Sequence, residues 1–270
     1  MTIRITINGV AGRMGRMLTQ ACASHPDLQL SAGIEHSDSP FLGQDAGLVA
    51  GIDAQQVKIQ SSLEDALQQT DVVIDFTRPK PTLAALKLCQ QADVRMVIGT
   101  TGFTDTEQLQ ITDSARQVPL VMAPNFSVGV TVCLQLLQQA AKALSGYDVE
   151  VIEAHHRYKV DAPSGTALKM GEVVAAATGR DLADCAVYGR EGHTGERQSD
   201  TIGFETIRAG DIIGDHTVLF ADTGERVEIT HRATNRLNFA NGAMRAAAWL
   251  MHQKPGEYNM FDVLNLKESL

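Results

Sequence analysis

The first fifteen residues do more than any other stretch to limit the fold. An alternating apolar run at 3–9, IRITING, passes without a break into NGVAGRMG, which carries Gly9, Gly12 and Gly15 in a GxxGxxG arrangement. Helical spacing begins at Arg13. A strand that turns this tightly into a helix belongs to a βα unit. Its glycines let the backbone approach a pyrophosphate, which then faces the N–H groups and positive dipole end of the helix. The commonest dinucleotide fingerprint is GxGxxG, whereas here Val10 and Ala11 both precede the second glycine. A ligand-free strand-to-helix turn would satisfy the triplet too. Glu35 favours the ligand reading: it ends a second strand pattern twenty positions after Gly15, where a carboxylate accepts from ribose hydroxyls.

The pattern repeats downstream. Strand-like runs at 28–35, 71–76, 96–101 and 118–125 alternate with helical spacing at 81–92 and 105–117, while 36–60 is less regular. Such alternation predicts a parallel sheet with crossover helices. DFTRP (75–79), GTTGF (99–103) and APNFSVG (123–129) each follow a strand. In an open parallel sheet these loops converge on a ligand at the carboxyl ends, although each alone reads as an ordinary turn.

A long helix pattern at 128–144 leads out of this region. A strand at 148–156 and a helix at about 164–178 follow. Residues 201–233 then alternate with Gly-Asp and Thr-Gly turn signals, which predicts antiparallel strands joined by hairpins. Helical spacing returns at 239–254. The 270 residues accommodate one large domain or two medium ones.

The formal charge of −9 disfavours nucleic acid or anionic membrane as the main partner. No run of about 18 apolar residues is present, and the N-terminus lacks the regions of a signal peptide. Cys22, Cys89, Cys133 and Cys185 are widely spaced with no CxxC pair. Reduced thiols in a cytoplasmic protein are therefore expected, rather than zinc or disulfides.

Against that acidic background, EAHHRYKVDAPSGTA (153–167) concentrates cations just before a helix start. Lone histidines are usually structural. His155 and His156 with Lys159, followed by an N-cap signal, supply instead a proton-transfer group and a compact charge. They also precede the amides of Gly165 and Thr166, first-turn groups with no intrahelical acceptor, suited to a carboxylate. A zinc site is the competing use of a histidine pair. Adjacent strand side chains diverge, however, and no Cys/His/carboxylate cluster completes the set, so no metal is expected.

The chain closely resembles the dihydrodipicolinate reductase family, enzymes of the diaminopimelate route to lysine. GVAGRMG, IDFTRP, IGTTGF, APNFSVGV, EAHHRYKVDAPSGTA, YGREGHTGER, IGFETIRAGDIIGDHTVLFADTGERVEITHRA and FANGAMRAA occur in the family's order. The resemblance implies an α/β chain with a Rossmann-type, parallel-sheet dinucleotide-binding domain from residues 1–126 and 237–270. An α+β substrate domain, 127–236, would carry a mainly antiparallel open sheet that also forms a homotetramer interface. Apolar positions such as Ile207, Val218, Phe220, Val227 and Ile229 are expected to face the partner.

The resemblance also implies roles. His155 matches the proton donor/acceptor, Lys159 a proton donor that also contacts substrate, and His156 a substrate contact. Gly165 and Thr166 match the grip on a substrate carboxylate. Gly9, Val10, Ala11, Gly12, Arg13 and Met14 match the pyrophosphate loop, and Glu35 the ribose anchor. Gly99, Thr100 and Thr101, with Ala123, Pro124, Asn125 and Phe126, match the loops around the nicotinamide. His36 departs from the pattern, since members that grip the 2′-phosphate of NADPH often have arginine there. Use of both NADH and NADPH, with NADH modestly favoured, is expected. Two rivals remain at this point. Another nicotinamide-dependent amino-acid dehydrogenase would share the glycine loop without needing EAHH…K…DAPSGTA. A non-catalytic dinucleotide sensor would need neither His155 nor Lys159.

Overall fold

In the computed structural model, residues 2–266 are described. They divide into two compact units, residues 2–128 with Leu237–Leu266 and residues 129–236. The expected first domain extends to 270, so its last four residues lie outside the described residues.

The first unit alternates β1 (Ile3–Asn8), α1 (Arg13–Ala23), β2 (Leu28–Ile34), α2 (Ala46–Ala50), β3 (Ile59–Gln60), α3 (Leu63–Leu67), β4 (Val72–Asp75), α4 (Pro79–Ala92), β5 (Arg95–Ile98), α5 (Asp105–Ala115) and β6 (Pro119–Met122). The chain continues through α6 (Val128–Ala143), β7 (Asp148–His155), α7 (Gly165–Ala177), α8 (Leu182–Cys185), β8 (Ala186–Tyr188), β9 (Ile202–Arg208), β10 (Gly214–Asp222) and β11 (Glu225–Ala233). It returns to the first unit with α9 (Leu237–Leu250), β12 (Gly256–Tyr258) and α10 (Met260–Val263).

The first sheet has the order β12-β6-β5-β4-β1-β2-β3, and every pair in it is parallel. Its strands are apolar at successive positions because both faces are covered. Val72 and Ile74 of β4 with Val97 of β5 enter the core under α1 and α9. Val73, Met96 and Ile98 enter the core under α3, α4 and α5. Parallel pairing places the carboxyl ends of all seven strands along one edge, where β1, β2, β4, β5 and β6 run into the glycine-, threonine- and proline-bearing loops.

The second sheet has the order β11-β10-β7-β9-β8. Both ladders of β10, with β11 and with β7, are antiparallel, whereas β7–β9 and β8–β9 are parallel. The hairpin reading holds for β10–β11, which turn at Thr223-Gly224. It fails for β9 and β10, because β7 lies between them. The Gly-Asp signal at 210–211 instead marks a connection past the end of β7, where the Ala209 N–H donates to the His155 carbonyl. Periodicity within a strand carries no information about which strand becomes its neighbour.

One face of this sheet packs on α7 and buries Val149, Val151, Phe204, Val218 and Phe220. The expectation that Val218 and Phe220 wait for a partner is therefore wrong: both are fully buried within their own chain. Ile207 and Val227 do remain exposed, and Ile229 is partly covered. On the opposite face Ile152, Thr217 and Leu219 are partly covered. No helix among the described residues is long and apolar enough to cross a membrane.

Candidate active site

At the carboxyl edge of the parallel sheet, Gly9 adopts φ +74° and its N–H donates to the Ile34 carbonyl at the end of β2. Gly12 is the N-cap of α1 and has no side chain to cap it, so the first amides of this helix are left to other acceptors. At Gly15 a Cβ would lie 2.2 Å from the Gly9 carbonyl oxygen and 2.5 Å from that of Val10. Only glycine lets the helix sit this close to the turn.

Glu35 is already tied to the loop, since the Ala11 N–H donates to its Oε1 over 2.8 Å. Arg16 donates from Nε to the Ala11 carbonyl and stacks over Phe41 at 5.3 Å, whereas Arg13 and His36 are exposed. A cavity of about 750 Å³ runs beside this loop, lined by Asn8, Gly9, Gly12, Glu35, His36 and Arg78 among others.

The two further loops meet the same edge. Gly99, Thr100 and Thr101 follow β5, and Ala123, Pro124, Asn125 and Phe126 follow β6. The side chains of Val10, Ala123 and Phe126 belong to the core, Phe126 against Phe76 with ring centroids 5.3 Å apart. Such residues offer a ligand their backbone. Met14 packs against the same core.

Asp75, which the sequence analysis did not single out, organises this edge from beneath. Fully buried at the end of β4, it accepts from Asn8 Nδ2 at 2.6 Å on one oxygen. The other oxygen accepts from the Thr77 N–H and from the hydroxyls of Thr77, Thr82 and Thr100. One carboxylate thus joins β1, β4, β5 and the start of α4.

In the second unit, the period-two geometry of β7 points Glu153 and His155 to the same face. Glu153 pairs across the sheet with Thr206 of β9 and His216 of β10, and His155 pairs with Arg208. Glu153 Oε2 lies 2.6 Å from His155 Nδ1 and 2.8 Å from Arg208 Nη1. Its Oε1 lies 2.7 Å from Arg208 Nη2 and 3.0 Å from the Ser164 backbone nitrogen. Burial raises the Glu153 carboxyl, but the bonds from Arg208, His155 and Ser164 outweigh it, and the net position is below the usual carboxylate range. For His155 burial dominates and lowers the imidazolium, with Glu153 opposing.

Ser164 is the N-cap of α7 and its hydroxyl accepts from the Ala167 N–H. The amides of Gly165 and Thr166 open that helix's first turn. Ser164 Oγ also lies 2.9 Å from His216 Nε2. In the loop between, Lys159 Nζ reaches both oxygens of Asp161 at 2.7 and 2.8 Å and holds that carboxyl low. His156 approaches Arg236 at 3.4 Å.

His216, buried and edge-on to His155 with centroids 5.0 Å apart, is held down from 6.5 to about 4, chiefly by burial and then by His155. A neutral histidine with a depressed folded-state pKa stabilises fully above its unfolded value. That stability is lost as pH falls through 6.5 towards about 4. At 1.36 kcal/mol per pH unit the loss is about 3 kcal/mol. Urea unfolding across this window should show a steeper decline in wild type than in His216→Gln, in which the lowered His155 still titrates; parallel declines would contradict the assignment.

The two halves of the chain match separate regions of one family. Residues 3–126 match the profile of dihydrodipicolinate reductase, N-terminus, and residues 129–264 that of dihydrodipicolinate reductase, C-terminus. The chain belongs to the dihydrodipicolinate reductase family. It is 56% identical over 266 residues to a 4-hydroxy-tetrahydrodipicolinate reductase of Laribacter hongkongensis, covering 98% of this chain and 99% of that one. It is 54% identical to the enzyme of the same name from Methylococcus capsulatus, covering 99% and 100%. A solved, dipicolinate-bound dihydrodipicolinate reductase from Paenisporosarcina sp. TG-14 superimposes with a TM-score of 0.77 at 28% identity, covering 97% of this chain and 99% of that one.

Membership of this reductase family makes the chain an oxidoreductase. Within it, the EAHH segment brings together more than its histidines. Glu153 opens that motif with no sequence signal for a role of its own, and Arg208 and His216 come from strands fifty or more residues away. Only the strand pairing could have found them.

Proposed function

We infer that the chain reduces 4-hydroxy-tetrahydrodipicolinate to tetrahydrodipicolinate at the expense of NADH or NADPH, a step of lysine biosynthesis through diaminopimelate. The observation that carries this reading is identity above half, over essentially the full length, to two relatives bearing that enzyme's name. A dicarboxylate substrate accords with the dipicolinate bound in the Paenisporosarcina structure.

The nicotinamide, when bound, supplies the hydride; this chain's residues must orient the reactants, neutralise two carboxylates and move protons. The unit with the glycine loop is assigned the cofactor. Gly9, Val10, Ala11, Gly12, Arg13 and Met14 surround the pyrophosphate, and Glu35 holds the ribose with the oxygen not engaged by Ala11. Gly99, Thr100 and Thr101 with Ala123, Pro124, Asn125 and Phe126 flank the nicotinamide. Glycine at 15 and the cavity beside Glu35 fit such a group.

His155 carries the proton, with Lys159 as proton donor and substrate contact. His156 contacts the substrate, and the amides of Gly165 and Thr166 receive a carboxylate. The 4-hydroxyl leaves as water with a proton from the neighbouring ring carbon, hydride is received at C4, and a proton is returned to the neighbouring carbon of the resulting enamine. An acidic chain collects cations at 153–167 because its substrate is a dianion.

Glu35 repels a 2′-phosphate, and His36 replaces the arginine that would offset this. Arg16 is engaged with Ala11 and Phe41, while Arg78 lines the cavity. Both cofactors are assigned, with NADH modestly favoured.

A cytoplasmic enzyme accords with four buried, unbridged cysteines. We assign a homotetramer built on the second sheet through its face bearing Ile152, Thr217 and Leu219. Light scattering at micromolar concentration should give four times the chain mass of 29.1 kDa; a monomer mass would contradict it.

The experiment that tests this function follows reduced-nicotinamide absorbance with freshly prepared substrate. Substrate-dependent oxidation separates the reductase from a sensor, and inactivity on amino acids separates it from an amino-acid dehydrogenase.

A further inference from the structure

We propose that Glu153 is the positioning residue of this site, a single buried carboxylate that orients His155 with one oxygen and the start of α7 with the other. The proposal rests on the reading of His155 as proton carrier and of Gly165 and Thr166 as the carboxylate grip.

Four donor groups converge on it: His155 Nδ1, Arg208 Nη1 and Nη2, and the Ser164 N–H, all within 3.0 Å. An ionised carboxylate only accepts. His155 Nδ1 must therefore carry a hydrogen, and in the neutral ring the lone pair falls on Nε2. That edge has room because position 214 is glycine: a Cβ there would lie 3.0 Å from Nε2. Arg208, bidentate from β9, keeps the carboxylate charged. The other groups facing His155 are His216 from β10 and Lys159 from the following loop.

A purely structural ion pair between β7 and β9 needs only Glu153 and Arg208. This carboxylate also takes the imidazole and the residue that caps α7. It thereby ties the proton-carrying group to the helix start that faces substrate. Fixing a histidine's tautomer through its second nitrogen is how a buried carboxylate acts on proton transfer without touching the reactant.

Glu153→Gln tests this sharply. A carboxamide offers one acceptor oxygen to donors approaching from both sides, so either His155 or Ser164 loses its partner. The decisive measurement is the imidazole 15N spectrum against pH, with His155 assigned by its disappearance in His155→Ala, alongside pH profiles of kcat and KM. Wild type should show the Nδ1–H tautomer. In Glu153→Gln the His155 titration and the matching limb of the rate profile should move down by about one pH unit. Its kcat should fall about 100-fold. Glu153→Asp, which retains the charge, should keep the tautomer and recover part of the turnover.

A folded Glu153→Gln with wild-type tautomer and pH limb would overturn the proposal, even with activity lowered. If that variant does not fold, wild type alone decides: an Nε2–H tautomer sinks the proposal. Turnover retained by His155→Ala would instead overturn the catalytic reading of His155, whatever its tautomer.

Discussion

Alanine in place of His155 or of Lys159 should lower kcat by about 100- to 10,000-fold, the usual cost of removing one general acid or base. NADH affinity should stay near that of wild type, because both residues belong to the unit assigned to substrate. The two variants differ in what they leave behind. In His155→Ala, Glu153 still has Arg208 and the Ser164 N–H, so the sheet retains its buried charge balance. In Lys159→Ala, Asp161 loses its only ion pair described, but it is exposed and can be hydrated. Lys159→Ala should cost little stability, and thermal unfolding of His155→Ala, which empties a buried position beside His216, separates loss of fold from loss of chemistry. Near-normal turnover at saturating substrate, measured beside cofactor titrations, would contradict the assignment.

Gly15→Ala should be a damaging small substitution in the other unit, at the turn assigned to the cofactor. The added methyl would lie 2.2 Å from the Gly9 carbonyl oxygen and 2.5 Å from that of Val10. Both are backbone atoms, so no rotamer change relieves the contact; α1 or the turn must move. Overpacking of this kind costs about 3 kcal/mol. The displaced turn contains the amides assigned to the pyrophosphate, so NADH should bind at least roughly tenfold more weakly, equivalent to about 1.4 kcal/mol. Gly12→Ala is the comparison for stability alone, since its Cβ meets only the Gly9 oxygen, at 3.1 Å, at an exposed position. Thermal unfolding of both variants and cofactor titration of Gly15→Ala check this. Equal behaviour of Gly15→Ala and wild type would mean that the close approach is not needed.

The first unit was readable because its signals are local. Each of β1, β2, β4, β5 and β6 is an apolar run bounded by turn residues, and parallel pairing then forces their loops to one edge. The short β12 went unread: three residues, Gly256–Tyr258, hold a place in the sheet only by pairing with β6. Residues 36–60 yielded little for the same reason, since α2 and β3 have five and two residues.

The second unit shows the limit more clearly. Alternation along 201–233 marks strands but not that β7 separates β9 from β10, and it does not distinguish Val218 and Phe220, which are buried within their own chain, from positions open to a partner. The candidate site divides in the same way. His155, His156, Lys159 and the α7 cap lie in one contiguous motif. Glu153 acquires its place through Arg208 and His216, and Asp75 through Asn8, Thr82 and Thr100, partners set by strand order rather than spacing.

Transfer of hydride from a reduced nicotinamide to 4-hydroxy-tetrahydrodipicolinate is measured as the oxidation of NADH and of NADPH by purified wild-type protein, with substrate generated immediately before mixing. The expected result is substrate-dependent oxidation with both cofactors, a modestly higher kcat/KM for NADH, and near-complete loss in His155→Ala. A folded protein that binds NADH yet oxidises neither cofactor when substrate is added would contradict it.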